Sequence, residues 1–329
     1  MTKYIFNDNT KLIFIKNNYI LIQNNNKKIK EKLDENFYNM LFKVQKNNYI
    51  FSTDLKFFTE EQLKFLYDKS VIKKLSPISE KYINTRYEKY QIYLENIFSD
   101  AKKIDYIKNN NQKKILFVGA GGVCTAIIDY LISVGFNSYG IIDFDIVETT
   151  NFNRQFKYKE TDVGSLKVSK IKSNLNEQYS GLTISTYNKK ICSSNDLDYI
   201  VGDYNPDFIV CAADTPIFLI QKYIAEVCLK RNIACIFGGV GQTKGVFGPL
   251  LYNKKGFNKY LKKINNVLCS LEGVFPCKGS FGITNSLISN YMAKDIIFYM
   301  MNKKKKVTSL NKECEIDFDR NVIYEKERY

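Results

Sequence analysis

Histidine is absent from all 329 residues. That single absence removes Ser-His-Asp triads, Cys-His dyads and every His-ligated metal site, and leaves general acid–base work to Asp, Glu, Lys or water. Nowhere does the chain string together the roughly 18 uninterrupted apolar residues that a membrane span needs, and Met1-Thr2-Lys3-Tyr4 opens no signal-peptide pattern. A cytoplasmic location without membrane contact is therefore expected. The eight Cys are too scattered for a disulfide framework and read as reduced thiols. The low hydrophobicity that marks disorder is also missing, since 45% of the residues are apolar and 14% aromatic. The length suits roughly two domains of about 150 residues each.

Charge is abundant and lopsided: 49 Lys and Arg against 34 Asp and Glu give a formal +15. Clustered cations would suggest nucleic acid, because counterion release rewards them. Here Lys is spread along the whole chain beside Asn and Ile, and residues 303–306 form the one tight block. A dedicated nucleic-acid site is not expected, and a small phosphate ligand is the favoured anionic partner.

Residues 4–75 read as a small separate unit. Short β-type runs at 11–15 and 19–23 flank Asn17-Asn18, a hairpin signal weaker than Asn-Gly. Leu33, Phe37, Met40, Leu41 and Val44 recur at helical spacing, and residues 49–52 give another short strand. Thr59 with Gln62 forms a capping box ahead of a second helix, whose apolar face holds Leu63, Leu66 and Val71. Strands and short helices in this order describe a winged-helix-like module, expected over residues 1–80, with a linker at 76–84 and a polar helix over 86–100.

From Lys113 the pattern changes to buried strands alternating with amphipathic helices: strands at 115–118, 139–144, 183–187, 208–212 and 234–238, helices at 123–134, 166–176 and 217–230. Such alternation predicts an α/β domain over 81–329, a Rossmann-like mostly parallel sheet with helices on both faces. After Gly248-Pro249-Leu250 the regularity lapses into an expected crossover loop at about 250–280, before a long helix at 283–301.

Gly119-Ala120-Gly121-Gly122 lies between a buried strand and a helix, where backbone amides and the helix N-terminus can cradle phosphate; Cys124 stands in place of the third fingerprint glycine. Asp143 closes the next strand, at the usual position of a ribose-binding acid. To this point NAD and ATP fit equally. Asp143-Phe144-Asp145, Asn151-Phe152-Asn153-Arg154-Gln155 and Lys167 then add cations beyond the ribose acid, which a triphosphate can use and a dinucleotide does not need. A further carboxylate, Asp214, follows the strand at 208–212 and could hold Mg²⁺.

With these residues in this order, the sequence resembles the ubiquitin-activating-type (ThiF/MoeB-like) adenylyltransferases over about residues 85–300. The resemblance implies an ATP- and Mg²⁺-dependent enzyme in which Asp143 binds the ribose, Asn151, Arg154, Gln155 and Lys167 manage the phosphates, and Asp214 coordinates Mg²⁺. Asp145 and the glycines 119, 121 and 122 complete the implied ATP site.

Within that superfamily, Ala213-Asp214-Thr215-Pro216, Gly238-Gly239-Val240 and the segment at 245–250 look closer to the MccB-like enzymes that modify the C-terminus of a short ribosomal peptide. Those enzymes also carry an N-terminal peptide clamp, which the module at 1–80 would match; strand addition to a sheet edge is how such a clamp binds. The branch implies a peptide–AMP phosphoramidate as product and a homodimer. In relatives an Arg-Tyr-x-Arg segment sends its second Arg into the neighbouring protomer's site; here Arg86-Tyr87-Glu88 is followed by Lys89, so Lys89 or Arg86 fills that role. Many relatives hold zinc with two Cys-x-x-Cys pairs, but no such pair exists here, and no structural zinc is expected.

Cys269 or Cys277 could accept an acyl group from the adenylate, although no nearby base is evident and a plain thiol is the simpler reading. Cys192, Cys211, Cys228 and Cys235 read as packing residues. Two other functions stand beside the peptide reading. One is activation of a sulfur-carrier or ubiquitin-like protein C-terminus. The other is a peptide-binding scaffold that has lost ATP chemistry.

Overall fold

The computed structural model describes residues 4–7, 9–24, 27–45, 49–50, 57–272 and 279–329. By its contacts the chain divides into two compact units, Met1–Asp105 and Tyr106–Tyr329. The first unit thus reaches past residue 80.

The first unit contains β1 (Tyr4–Phe6), β2 (Thr10–Ile15), β3 (Tyr19–Asn24), β4 (Lys27–Lys32), α1 (Glu35–Gln45), β5 (Tyr49–Ile50), α2 (Glu60–Asp68), β6 (Ile72–Lys74), α3 (Pro77–Tyr82) and α4 (Glu88–Ile97). The β2–β3 hairpin closes on Asn17 and Asn18, both at positive φ (62° and 61°), a backbone state that Asn tolerates better than most residues. Strands β2, β3 and β4 form one antiparallel sheet, and β5, β1 and β6 form another. Ile20, Ile22, Phe37, Leu41, Leu66 and Ile72 make the core of this unit. The capping box is present, with Thr59 Oγ1 accepting from the Gln62 amide and Gln62 Oε1 accepting from the Thr59 amide.

Two expectations for this unit change. Residues 76–84 hold α3 rather than an open linker: Ser76 Oγ accepts from the Ser79 amide and Pro77 occupies the first helical position, where its missing N–H costs nothing. Ser-Pro opens turns and helices alike, so the dipeptide alone does not distinguish them. The helix expected over 86–100 is trimmed to α4. Of the expected strand at 49–52, residues 51 and 52 lie outside the described residues.

The second unit runs α5 (Tyr106–Asn111), β7 (Lys114–Val118), α6 (Gly122–Ser133), β8 (Ser138–Ile142), α7 (Lys167–Gln178), β9 (Thr183–Tyr187), α8 (Ser194–Tyr204), β10 (Phe208–Cys211), α9 (Leu219–Arg231), β11 (Ala234–Val240), β12 (Lys244–Leu251), α10 (Lys254–Ser270), α11 (Gly282–Met300), β13 (Lys312–Asp317) and β14 (Val322–Arg328). One eight-stranded sheet has the order β14-β13-β12-β11-β10-β7-β8-β9. From β11 to β9 every neighbour is parallel, and β12, β13 and β14 extend that sheet antiparallel. The expected mostly parallel α/β sheet is therefore present. Ile115, Leu116, Phe117 and, two strands' worth of sequence later, Phe208, Ile209 and Val210 are fully buried, as strands covered by helices on both faces must be.

The region after Pro249 is more regular than expected. Strand β12 runs to Leu251, and α10 occupies most of the stretch read as a crossover loop, burying Phe257, Tyr260 and Ile264. Helix α8 and the β13–β14 hairpin are additions to the expected elements.

Strand order reverses at β7: β8 lies on one side of it and β10 on the other. The crevice beyond the carboxyl ends of β7 and β10 is where open α/β sheets bind ligands. The glycine loop follows β7, and Ala213 and Asp214 follow β10.

Candidate functional site

At this switch point lies a cavity of about 480 Å³, lined among others by Gly119, Gly121, Gly122, Asp143, Asp145, Arg154, Gln155, Lys167 and Asp214. Nine residues singled out in the sequence, from the three connections that follow β7, β8 and β10, thus share one cavity. Gly119 sits at φ +98°, and a Cβ there would stand 3.3 Å from Ala213, so the loops after β7 and β10 touch through a glycine. Gly121 caps α6 with an ordinary extended backbone, and nothing lies within 4 Å of where its Cβ would be. A Cβ on Gly122 would instead meet Asn285 Oδ1 at 2.8 Å and the Arg154 carbonyl at 2.9 Å.

This contrast makes a prediction. Gly122→Ala should destabilise the fold, because overpacking costs about 1–3 kcal/mol and exceeds the roughly 0.4–1 kcal/mol gained from a stiffer unfolded chain. Gly121→Ala should leave the melting temperature unchanged or slightly raised; if the loop cradles phosphate as its sequence implies, the added methyl should also weaken triphosphate binding by about tenfold. Equal nucleotide affinity in Gly121→Ala would remove the loop from the binding site.

Asp143 is held by the loop it faces. Its Oδ2 accepts from the Ala120 amide at 2.6 Å and its Oδ1 from the Asp145 amide at 2.8 Å, while burial pushes its carboxyl above the usual Asp range against those two hydrogen bonds. Each oxygen keeps a lone pair with which to accept from a ribose hydroxyl. The Ala120 carbonyl in turn accepts from the buried Tyr158 hydroxyl at 2.8 Å, bracing the loop from below.

Lys167 begins α7 nearly buried, with its ammonium 3.0 Å from Asp145 Oδ2 and its amide bonded to the Asp145 carbonyl. The ion pair to the half-exposed Asp145 holds the buried Lys167 ammonium in place. The Arg154 guanidinium is aimed by the Thr150 carbonyl (2.9 Å) and Asn153 Oδ1 (2.8 Å), and Asn153 reaches the Ser280 carbonyl at 2.7 Å, just before α11. Asp214 is exposed; its Oδ1 accepts from the neighbouring Thr215 hydroxyl.

Three candidates stand elsewhere. Asn151 is buried but does not line the cavity; its Oδ1 accepts from the Glu148 amide and closes the turn that leads to Arg154. Arg86 and Lys89 belong to the first unit, where Arg86 lies over the Tyr87 ring and Lys89 stands 3.7 Å from Glu88. Cavity residues that the sequence reading missed are Asn285, buried at the start of α11, and Lys189, Gln221 and Ser280. They come from segments without a motif, so no pattern in the chain marks them.

The thiols divide by burial. Cys124, Cys211 and Cys235 are buried, and burial holds all three thiols above the usual Cys range, which suits packing rather than nucleophilic work. Cys228 is buried too, but Cys192 is exposed, so its reading as a packing residue is corrected. Cys269 is an exposed free thiol on α10, and Cys277 lies outside the described residues. Among the described residues no group of three or more Cys, Asp or Glu gathers as a metal centre, and no helix is long and apolar enough to cross a membrane.

A strand, a glycine turn and a helix opening onto a switch point, with a ribose-type acid on the next strand, define a Rossmann-like nucleotide-binding unit. The chain belongs to the ThiF family, whose model matches residues 88–323. A probable molybdopterin-synthase adenylyltransferase of Porphyra purpurea is 26% identical over 225 residues, 68% of this chain and 57% of that protein. The adenylyltransferase and sulfurtransferase MOCS3 of Caenorhabditis briggsae is 32% identical over 153 residues, 46% of this chain and 37% of that one. The chain therefore spans little more than half, or less, of the length of these curated relatives.

Among solved structures, E. coli MccB with ATP aligns with a TM-score of 0.67 at 22% identity, over 99% of this chain and 97% of that one. The microcin C7 biosynthetic enzyme MccB in complex with N-formylated MccA gives 0.67 at 21%, over 99% and 97%. At such identities the likeness is one of fold, and it extends through both units.

Proposed function

We propose that this chain is an adenylyltransferase that uses ATP to activate the C-terminal carboxylate of a short ribosomal peptide, working in the cytoplasm as a homodimer. The observation that carries the adenylation is the single cavity in which the glycine loop, Asp143, Arg154, Lys167 and Asp214 meet. Amides of the loop and the N-terminus of α6 receive the phosphates, Asp143 the ribose, and Arg154 and Lys167 the charge that develops as the peptide carboxylate attacks the α-phosphorus and pyrophosphate departs.

Mg²⁺ is usually held by one or two carboxylates together with substrate phosphates and water. One exposed carboxylate at the cavity wall, Asp214, fits that donor pattern without a preformed protein cage. When bound, the ion would offset the negative charge of the triphosphate. In the microcin-type course of reaction, the side-chain amide nitrogen of a terminal Asn then displaces AMP from the acyl adenylate and closes a succinimide. The succinimide nitrogen attacks the α-phosphorus of a second ATP as pyrophosphate leaves. Water reopens the ring, so that peptide and AMP are joined through a phosphorus–nitrogen bond with the net loss of one water.

Peptide recognition is assigned to the first unit, whose two small sheets offer strand edges for addition. Support for the assignment is the fold likeness to MccB across nearly the whole chain. Deleting Met1–Asp105 should weaken binding of a cognate peptide far more than binding of ATP, read by calorimetry on the remaining unit; equal peptide affinity before and after would leave the first unit as structure alone. A second copy is assigned to the apolar patch of Phe156, Phe281 and Ile283, which are 69%, 58% and 61% exposed around the start of α11.

A second reading, activation of a folded sulfur-carrier protein, is favoured by the curated relatives, which are molybdopterin-synthase adenylyltransferases and adenylyltransferase–sulfurtransferases. Pyrophosphate release that needs a folded carrier ending in Gly-Gly, and ignores short peptides, would select it.

A further inference from the structure

Two residues that line the cavity, Gln155 and Gln221, each carry a buried side-chain Oε1 with no hydrogen-bond partner among the described residues. A buried acceptor without a donor is costly to a fold, and such a group calls for an explanation in what binds beside it. Gln155 belongs to the Arg154-Gln155 pair already placed with the phosphates. Gln221 has no such assignment. It stands in the first turn of α9, next to Ile217 and Ile220, which line the same cavity.

The surroundings of Gln221 restrict the ligand's shape. Ile142, Ile191 and Ile220 all line the cavity and belong to one buried cluster with Val118 and Cys211. Branched aliphatic side chains of this kind, at the end of the strand that leads to Asp143, make a wall suited to a flat heteroaromatic ring. The amide then supplies what such a wall lacks, an acceptor and a donor side by side. That pair matches the amine of adenine together with an adjacent ring nitrogen, whereas guanine and hypoxanthine present an oxygen acceptor in place of the amine.

We propose that Gln221 determines the choice of nucleotide base, with Oε1 accepting from the adenine N6 amine and Nε2 donating to the neighbouring ring nitrogen. This rests on reading the cavity as an ATP site. It adds a residue that no motif marked, and a reason for the orphaned oxygen.

Calorimetric titration of the full chain with ATP and with inosine triphosphate, which carries an oxygen where ATP carries the amine, tests the assignment. The wild-type protein should prefer ATP by about tenfold or more. In Gln221→Ala and in the size-matched Gln221→Met, ATP affinity should fall to that of inosine triphosphate. Binding of inosine triphosphate should not change, which also shows that the site is still folded. A preference for ATP that survives both substitutions overturns the inference and leaves the ATP site standing. Equal loss of both nucleotides makes Gln221 a packing residue and overturns it too. Wild-type protein that binds neither nucleotide overturns both the inference and the reading beneath it.

Discussion

Replacing Asp214 with Ala is expected to abolish pyrophosphate release while leaving the melting temperature unchanged. The carboxylate is exposed and its one described bond is to the adjacent Thr215 hydroxyl, so nothing in the packing of the unit depends on it. Surface substitutions of this kind usually alter stability by less than about 0.5 kcal/mol. A large effect on turnover without an effect on stability would therefore report on a ligand. A steep rise in the Mg²⁺ concentration needed by Asp214→Asn, with ATP saturating, would place the metal at this carboxylate; unchanged turnover in Asp214→Ala would take it away.

Arg154→Ala and Lys167→Ala should each lower the rate of adenylation by roughly a hundredfold, the usual cost of removing one donor to charge that develops in a desolvated site. Their other effects should differ. Lys167 is nearly buried on Asp145, so its removal leaves that carboxylate without its cation as well as the phosphates. Arg154 is half-buried and tethered by Thr150 and Asn153, so Arg154→Lys keeps the charge but loses the planar fork, and should recover only part of the rate. Full activity in both alanine variants at saturating ATP would contradict the triphosphate reading.

Much of the parallel sheet and its glycine loop was legible because the signals were strong and local. Runs such as Ile115 to Val118 and Phe208 to Cys211 are buried on both faces and read as continuous apolar strands. The glycines of the loop are legible as residue types, but that a Cβ would have room at Gly121 and none at Gly122 shows only in the fold.

The antiparallel extension was not legible, for a physical reason visible in β13. Cys314 and Ile316 alternate there with Glu313 and Glu315, but both carboxylates are buried, 3.1 Å from Lys263 and 2.8 Å from Lys244, in long-range pairings that no local pattern reveals. In α10 Phe257, Tyr260, Leu261, Ile264, Val267 and Leu268 recur at helical spacing, so this helix is legible in the residues themselves and the loop expected there overlooks it. Asn285, Gln221 and Tyr158 reach the site through tertiary folding alone, and the bond from the Glu148 amide to Asn151 Oδ1 is one that no spacing reveals.

The measurement that tests the account most directly is mass spectrometry of the product formed from ATP, Mg²⁺ and a short peptide ending in Asn. The account predicts a stable adduct, heavier by one adenylate less water, that resists hydroxylamine because its link is phosphorus–nitrogen. It predicts that the adduct is absent with Asp214→Ala. A hydroxylamine-labile acyl adenylate formed on a folded carrier protein, with no adduct on any short peptide, would contradict it.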